Sequence, residues 1–117
     1  MLYKKPKQAK EYLQKALNID PEHDIALIEL GKIDKSEGNT VAAQVKFRKA
    51  YDLYLKQWKT NSLPKYAYGW FATVAEELGE NNFAKEIRTS APKTESEAYY
   101  NKENLSMTKT KALTNNN

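Results

Sequence analysis

Leu27–Ala50 reads LIELGKIDKSEGNTVAAQVKFRKA, and its reading decides the fold. Two helical runs flank Gly38-Asn39, a pair that tolerates the left-handed conformation in which helices end. Ahead of the pair, Leu27, Leu30, Gly31 and Asp34 share one side of a helix. Beyond it, Ala43, Phe47 and Ala50 do the same. Ala9, Leu13 and Ala16 precede Ala43, Phe47 and Ala50 by 34 residues each. Gly38, Ala43 and Ala50 return as Gly79, Ala84 and Ala91, each 41 residues on. The excess, 7 residues, is about two helical turns, so the insertion lengthens a helix without rotating its apolar face. A period in this range marks stacked helical repeats.

The second copy, Leu27-x2-Leu30-Gly31-x2-Asp34, Gly38, then Ala43-x3-Phe47-x2-Ala50, resembles a tetratricopeptide repeat. The first copy keeps Ala9-x3-Leu13-x2-Ala16 with Pro21 closing it. The third is looser: Tyr68-x2-Phe71-Ala72-x2-Ala75, Gly79, Ala84-x3-Arg88-x2-Ala91. Asp34 stands where the family prefers Tyr, Leu55 where Pro closes a unit, and Arg88 where a large apolar residue belongs. Without a Pro at 55 the third helix runs on to Lys59, and the break moves to Asn61-Ser62-Leu63-Pro64. The resemblance implies an all-α fold of stacked antiparallel helix pairs, about two and a half repeats of a right-handed α-solenoid. It covers roughly Lys5 to Ala91, within a repeat domain expected over residues 1–92. Residues 93–117 turn to Lys, Thr, Ser and Asn with few large apolar side chains, the composition of a flexible tail. Ala98-Tyr99-Tyr100 is the candidate for a short capping helix at its start.

Apolar spacing and end signals predict five helices: Lys5 to Asn18, Ile25 to Glu37, Val41 to Lys59, Lys65 to Leu78 and Asn82 to Ser90. Asp24 and Thr40 are the candidate N-caps. Tyr12 joins Ala9, Leu13, Ala16 and Leu17 on the apolar side of the first helix, and Val41 and Val45 join that of the third. The first helix is the second half of a repeat whose first half is absent. Its outer side is therefore expected to pack on another molecule or on more of a longer array.

At 117 residues the chain holds one domain. No cysteine is present, which removes disulfides, thiolate nucleophiles and cysteine-based zinc sites. Met1-Leu2-Tyr3-Lys4-Lys5-Pro6 lacks the apolar stretch of a signal peptide, and no run has the length of a membrane helix. The expectation is a cytoplasmic protein with no membrane partner. The net charge of +4 is mild for a dedicated nucleic-acid binder. Lys46, Lys49, Lys56 and Lys59 nevertheless form a basic stripe along the third helix, which keeps electrostatic nucleic-acid binding as a minor alternative.

The pattern points away from catalysis. His23 is the lone histidine and sits in a turn between Glu22 and Asp24. Glu76 and Glu77 are adjacent on a helix, so they point in different directions and make no acid/base pair by themselves. No phosphate loop or nucleophile elbow occurs. The expectation is no enzyme, no cofactor and no metal.

The resemblance also implies where binding would occur, since the first helix of each such repeat lines a concave surface that takes a peptide. By position this gives Ile25, Ile28, Glu29, Lys32 and Lys35 from the second unit. The third unit gives Tyr66, Gly69, Trp70, Thr73 and Glu77. The implied groove centres on Ile25, Ile28, Glu29, Lys32, Tyr66, Trp70, Thr73 and Glu77, with Trp70 as anchor. Ile28 and Glu29 occupy the second unit's places of the carboxylate clamp used by chaperone-binding members, and Tyr66 and Trp70 the third's. A carboxylate at Glu29 argues against that clamp. The implied function is a non-enzymatic adaptor or scaffold binding a segment of a partner protein. The alternative is an end piece of a larger array, or a unit that self-associates through its first helix.

Overall fold

The computed structural model of the chain describes residues 5–92. The expected tail over 93–117, with its candidate capping helix, lies outside the described residues. Five helices occur in this span: α1 (Pro6–Ile19), α2 (Asp24–Ser36), α3 (Thr40–Lys59), α4 (Ala67–Glu77) and α5 (Asn81–Thr89). No strand occurs among the described residues.

Each helix end has a local cause. Pro6 opens α1, where its missing N–H would have had no helical partner. The cap of α2 is His23, whose Nδ1 accepts from the Ala26 N–H at 3.2 Å. Asp24, the expected cap, is instead the first helical residue, because its carboxylate is taken up by two distant tyrosines described below. Asn39, not Thr40, holds the cap position of α3, without a side-chain bond. Pro64 and a turn delay α4 to Ala67, whose N–H donates to the Pro64 carbonyl at 3.0 Å.

Three helices end alike. After α2, Gly38 takes φ +83° and the Asn39 N–H returns to the Asp34 carbonyl at 2.8 Å. After α4, Gly79 takes φ +85° and the Glu80 N–H returns to the Ala75 carbonyl, again at 2.8 Å. After α3, Asn61 adopts φ 57° and the Ser62 N–H reaches the Gln57 carbonyl at 2.8 Å. A left-handed residue turns the chain sharply while satisfying carbonyls that the helix leaves open. With such short connections, successive helices pack antiparallel.

The helices touch in chain order: α1 on α2, α2 on α3, α3 on α4 and α4 on α5, while α2 also meets α4. Small residues permit the close approaches. Ala43, Ala50, Ala72, Ala75 and Ala84 are all buried. A Cβ added to Gly31 would stand 2.6 Å from Cε1 of Phe47, so only glycine lets α2 lie against that ring.

The longest helix, α3, has 20 residues against 13 for α2. Its added turns bring Tyr54 level with Asp24 at the start of α2 and carry Tyr54 and Trp58 to the rings of α4 and α5. Tyr51, Tyr54 and Trp58 of α3 meet Phe71 of α4 and Phe83 of α5 in tilted or edge-on ring contacts, with centroids 5.3–6.4 Å apart. Such pairs add roughly 0.5–1.5 kcal/mol each beyond area burial. The aromatic side chains are therefore concentrated where α3, α4 and α5 converge. Three expected apolar contacts are absent: Tyr12, Val41 and Val45 are exposed to 73%, 79% and 64%.

Asp34 stands where the repeat resemblance expects a Tyr, and it is accommodated through its charge. It is buried, and the Lys46 ammonium donates to its carboxylate at 2.5 Å. Arg88 lies outside the core and forks onto Glu76 at 2.6 and 3.0 Å. Large-against-small packing is thus Gly31 against Phe47 in one unit. In the next, Ala72 and Arg88 hold the corresponding places.

Candidate binding groove

The groove lies between α2 and α4, whose facing sides are tied at three levels. At one end, Tyr66 donates its hydroxyl proton to Asp24 Oδ2 at 2.9 Å. In the middle, the Lys32 ammonium stands 5.1 Å from the centroid of the Trp70 ring. At the other end, Lys35 donates to both oxygens of Glu77 at 3.0 Å. Between these ties, Lys32, Tyr66, Gly69, Trp70, Thr73 and Arg88 line an open hollow of about 330 Å³. Trp70 is half-buried: one side packs against the core cluster and the rest faces the hollow.

Of the eight candidate residues, Lys32, Tyr66, Trp70 and Thr73 come together on this hollow. Glu29 borders it through Lys32, 3.8 Å away, whereas Glu77 pairs with Lys35 outside the lining. Ile25 is half-buried and takes no part in the lining. Ile28 requires correction as a contact residue, being fully buried in the core. The cause is that α2 has neighbours on three sides, α1, α3 and α4, so little of its surface is left to face a groove.

Arg88 enters the lining from α5, which sequence reasoning missed as a groove residue. Its place in the third copy, where an apolar side chain belongs, was the available signal. The Arg88 fork holds the Glu76 carboxyl below its ordinary range. Glu76 thus turns to Arg88 while Glu77 turns to Lys35, and the adjacent carboxylates diverge.

A second hollow, of about 450 Å³, opens beyond Tyr66. It is lined by Glu22, Asp24, Leu53, Tyr54, Lys56, Gln57, Thr60, Ser62 and Tyr66. Tyr66 belongs to both hollows and partitions them. Here Asp24 Oδ2 accepts a second hydroxyl, that of Tyr54, at 2.6 Å. Burial alone would raise the Asp24 pKa. The two phenol donors, with nearby backbone amides, outweigh it and hold the carboxyl below its usual value.

Lys46, one member of the expected basic stripe, is committed to Asp34, while Lys49, Lys56 and Lys59 remain exposed. Among the described residues, no group of three or more His, Cys, Asp or Glu side chains gathers to hold a metal ion. No helix among them is long and apolar enough to cross a membrane. Comparison with protein-family models, with curated proteins and with solved structures finds no match to this chain.

Proposed function

We propose that this chain is a non-enzymatic interaction module of tetratricopeptide-like repeats, holding a peptide segment of a partner protein between α2 and α4. One observation carries the reading: residues of α2, α4 and α5 converge on a hollow where Trp70 keeps an accessible face while the neighbouring Phe71 is fully buried. A large aromatic side chain, rooted in the core and open on one side, is a typical binding anchor. The buried alanines and the chain-order contacts support a solenoid of about two and a half units. The module works by burial and positioning, as an adaptor or scaffold, and needs no cofactor.

Affinity capture of partners with the intact chain and with Trp70→Ala tests the reading. The substitution is expected to weaken partner binding by about 30-fold, the loss of a strong hot spot, with helicity by circular dichroism unchanged. Retention of every partner by the variant would refute it.

A second reading is self-association, or docking in a longer array, through the outer side of α1. It is favoured by Tyr12 and Ile19, exposed to 73% and 87%. Sedimentation at high concentration discriminates, since a strict monomer would remove self-association.

A further inference from the structure

Four glycines occur in the chain, and three have an internal reason for lacking a side chain. Gly38 and Gly79 adopt positive φ at helix ends, and Gly31 lies against the Phe47 ring. Gly69 has neither reason. It sits in α4 without a left-handed backbone, it is exposed, and a Cβ added there would meet nothing within 4 Å. Gly69 is the third residue of α4, and even in a first turn glycine carries an entropic cost relative to alanine. That cost returns nothing to the fold, and the bare backbone it leaves is part of the hollow beside Trp70. Glycine at such a place allows another main chain to come close.

The charges around it state what that guest carries. Lys10, Lys35, Lys46 and Arg88 each hold a carboxylate at 2.5–3.0 Å. Lys32, in the hollow itself, has Glu29 only at 3.8 Å and rests over the Trp70 ring. Its ammonium therefore keeps donors for an incoming acceptor, and a charge-assisted bond is the stronger kind. Both charged residues lining the hollow, Lys32 and Arg88, are cations; Glu29, whose charge argues against a two-sided carboxylate clamp, is 3.8 Å from Lys32 and stands outside the lining.

Building on the groove reading above, we infer that the guest is a carboxylate-bearing peptide segment whose main chain crosses α4 at Gly69. It sets an apolar side chain on Trp70 and a carboxylate on Lys32. Thr73 does not compete for it, since its hydroxyl donates to the Gly69 carbonyl at 2.9 Å.

The test pans displayed random short peptides on the full-length chain, then measures synthetic copies of enriched sequences by fluorescence polarisation. The expected winners pair a large apolar residue with a nearby Asp or Glu and lose binding to Trp70→Ala. Their affinity is expected to fall in steps through Gly69→Ala and Gly69→Leu, about tenfold or more for the latter. Lys32→Glu is expected to reverse the preference for acidic over basic peptides. Both Gly69 variants should keep or raise the melting temperature. Winners that need Trp70 but ignore Gly69→Leu, or that carry lysine or arginine in place of the acid, would overturn this inference and leave the groove reading intact. A lowered melting temperature for Gly69→Ala would also overturn it, by giving the glycine a role in the fold. Absence of any peptide that depends on Trp70 would defeat the groove reading and the inference together.

Discussion

Gly31 and Phe47 are a matched pair: the ring of one occupies the space where a side chain on the other would begin, 2.6 Å from a built Cβ. Phe47 is fully buried, so it has no free side to move toward. Gly31→Ala is expected to destabilise the protein. Overpacking costs about 1–3 kcal/mol, which outweighs the gain of up to ~1 kcal/mol from better helix propensity. Chemical denaturation measures it, and Phe47→Leu in the same chain should recover part of the loss. An unchanged or raised midpoint for Gly31→Ala would show that the two helices do not approach this closely.

Asp24 makes stability depend on acid. A carboxyl held below its ordinary value stabilises the fold above the unfolded pKa, near 3.8. That contribution is lost as pH falls through the lower folded value. Tyr54→Phe removes the shorter of its two phenol donors, leaving Asp24 partly unsatisfied. It is expected to cost about 1.5–3 kcal/mol at neutral pH, typical of a hydrogen bond to a charged group. The same variant should flatten the loss of stability below pH 3.8. Denaturation midpoints across the acid range provide the check, and an acid limb as steep as the parent's would exclude Asp24 as its source.

Tyr51 should govern part of the alkaline response. Burial first, and the nearby Glu80 carboxylate second, push its hydroxyl up to about 12. A raised folded-state value means its contribution is complete below pH 10 and is lost as pH rises through about 12. Tyrosinate absorbance from Tyr51 is expected only as the pH approaches about 12. Tyr51→Phe should remove one group from that late phase, and an unchanged late phase would count against this assignment.

The Asp34–Lys46 pair is expected to respond asymmetrically. Lys46→Ala leaves the Asp34 carboxylate, with a side chain only 9% exposed, short of its main donor. The cost should be about 1–3 kcal/mol, that of a buried group left unsatisfied. Replacing both residues together, Asp34→Leu with Lys46→Met, should cost less than Lys46→Ala alone. A double-mutant cycle in guanidinium measures the coupling, and strictly additive losses would mean that the pair contributes little.

Each of the five helices falls within two residues of the span that apolar spacing and glycine or proline punctuation predict. Those signals are local, and the left-handed ends at Gly38 and Gly79 are among the strongest of them. The continuation of α3 to Lys59 was legible because nothing between Ala50 and Asn61 breaks a helix.

What escaped the sequence depends on distant partners. Asp24 looks like a cap until Tyr54 and Tyr66, 30 and 42 residues away, claim its carboxylate. His23 caps instead, a role its setting in a turn did not announce. Ile28 looks available on a helix with apolar residues around most of its girth, but three neighbouring helices cover it. Half of the candidate groove, Lys32, Tyr66, Trp70 and Thr73, was readable by position within the repeat, while Arg88 arrived from α5, a helix the repeat pattern gave no groove residue.

Finally, among the described residues α1 leans on α2 alone and lends the core cluster only the partly buried Leu17. Cooperative stability cannot be uniform in such an arrangement. Amide protons of α1 should exchange with solvent through a private opening, long before those of α3 and α4. The N-terminal helix can therefore detach and return while the rest of the molecule stays folded.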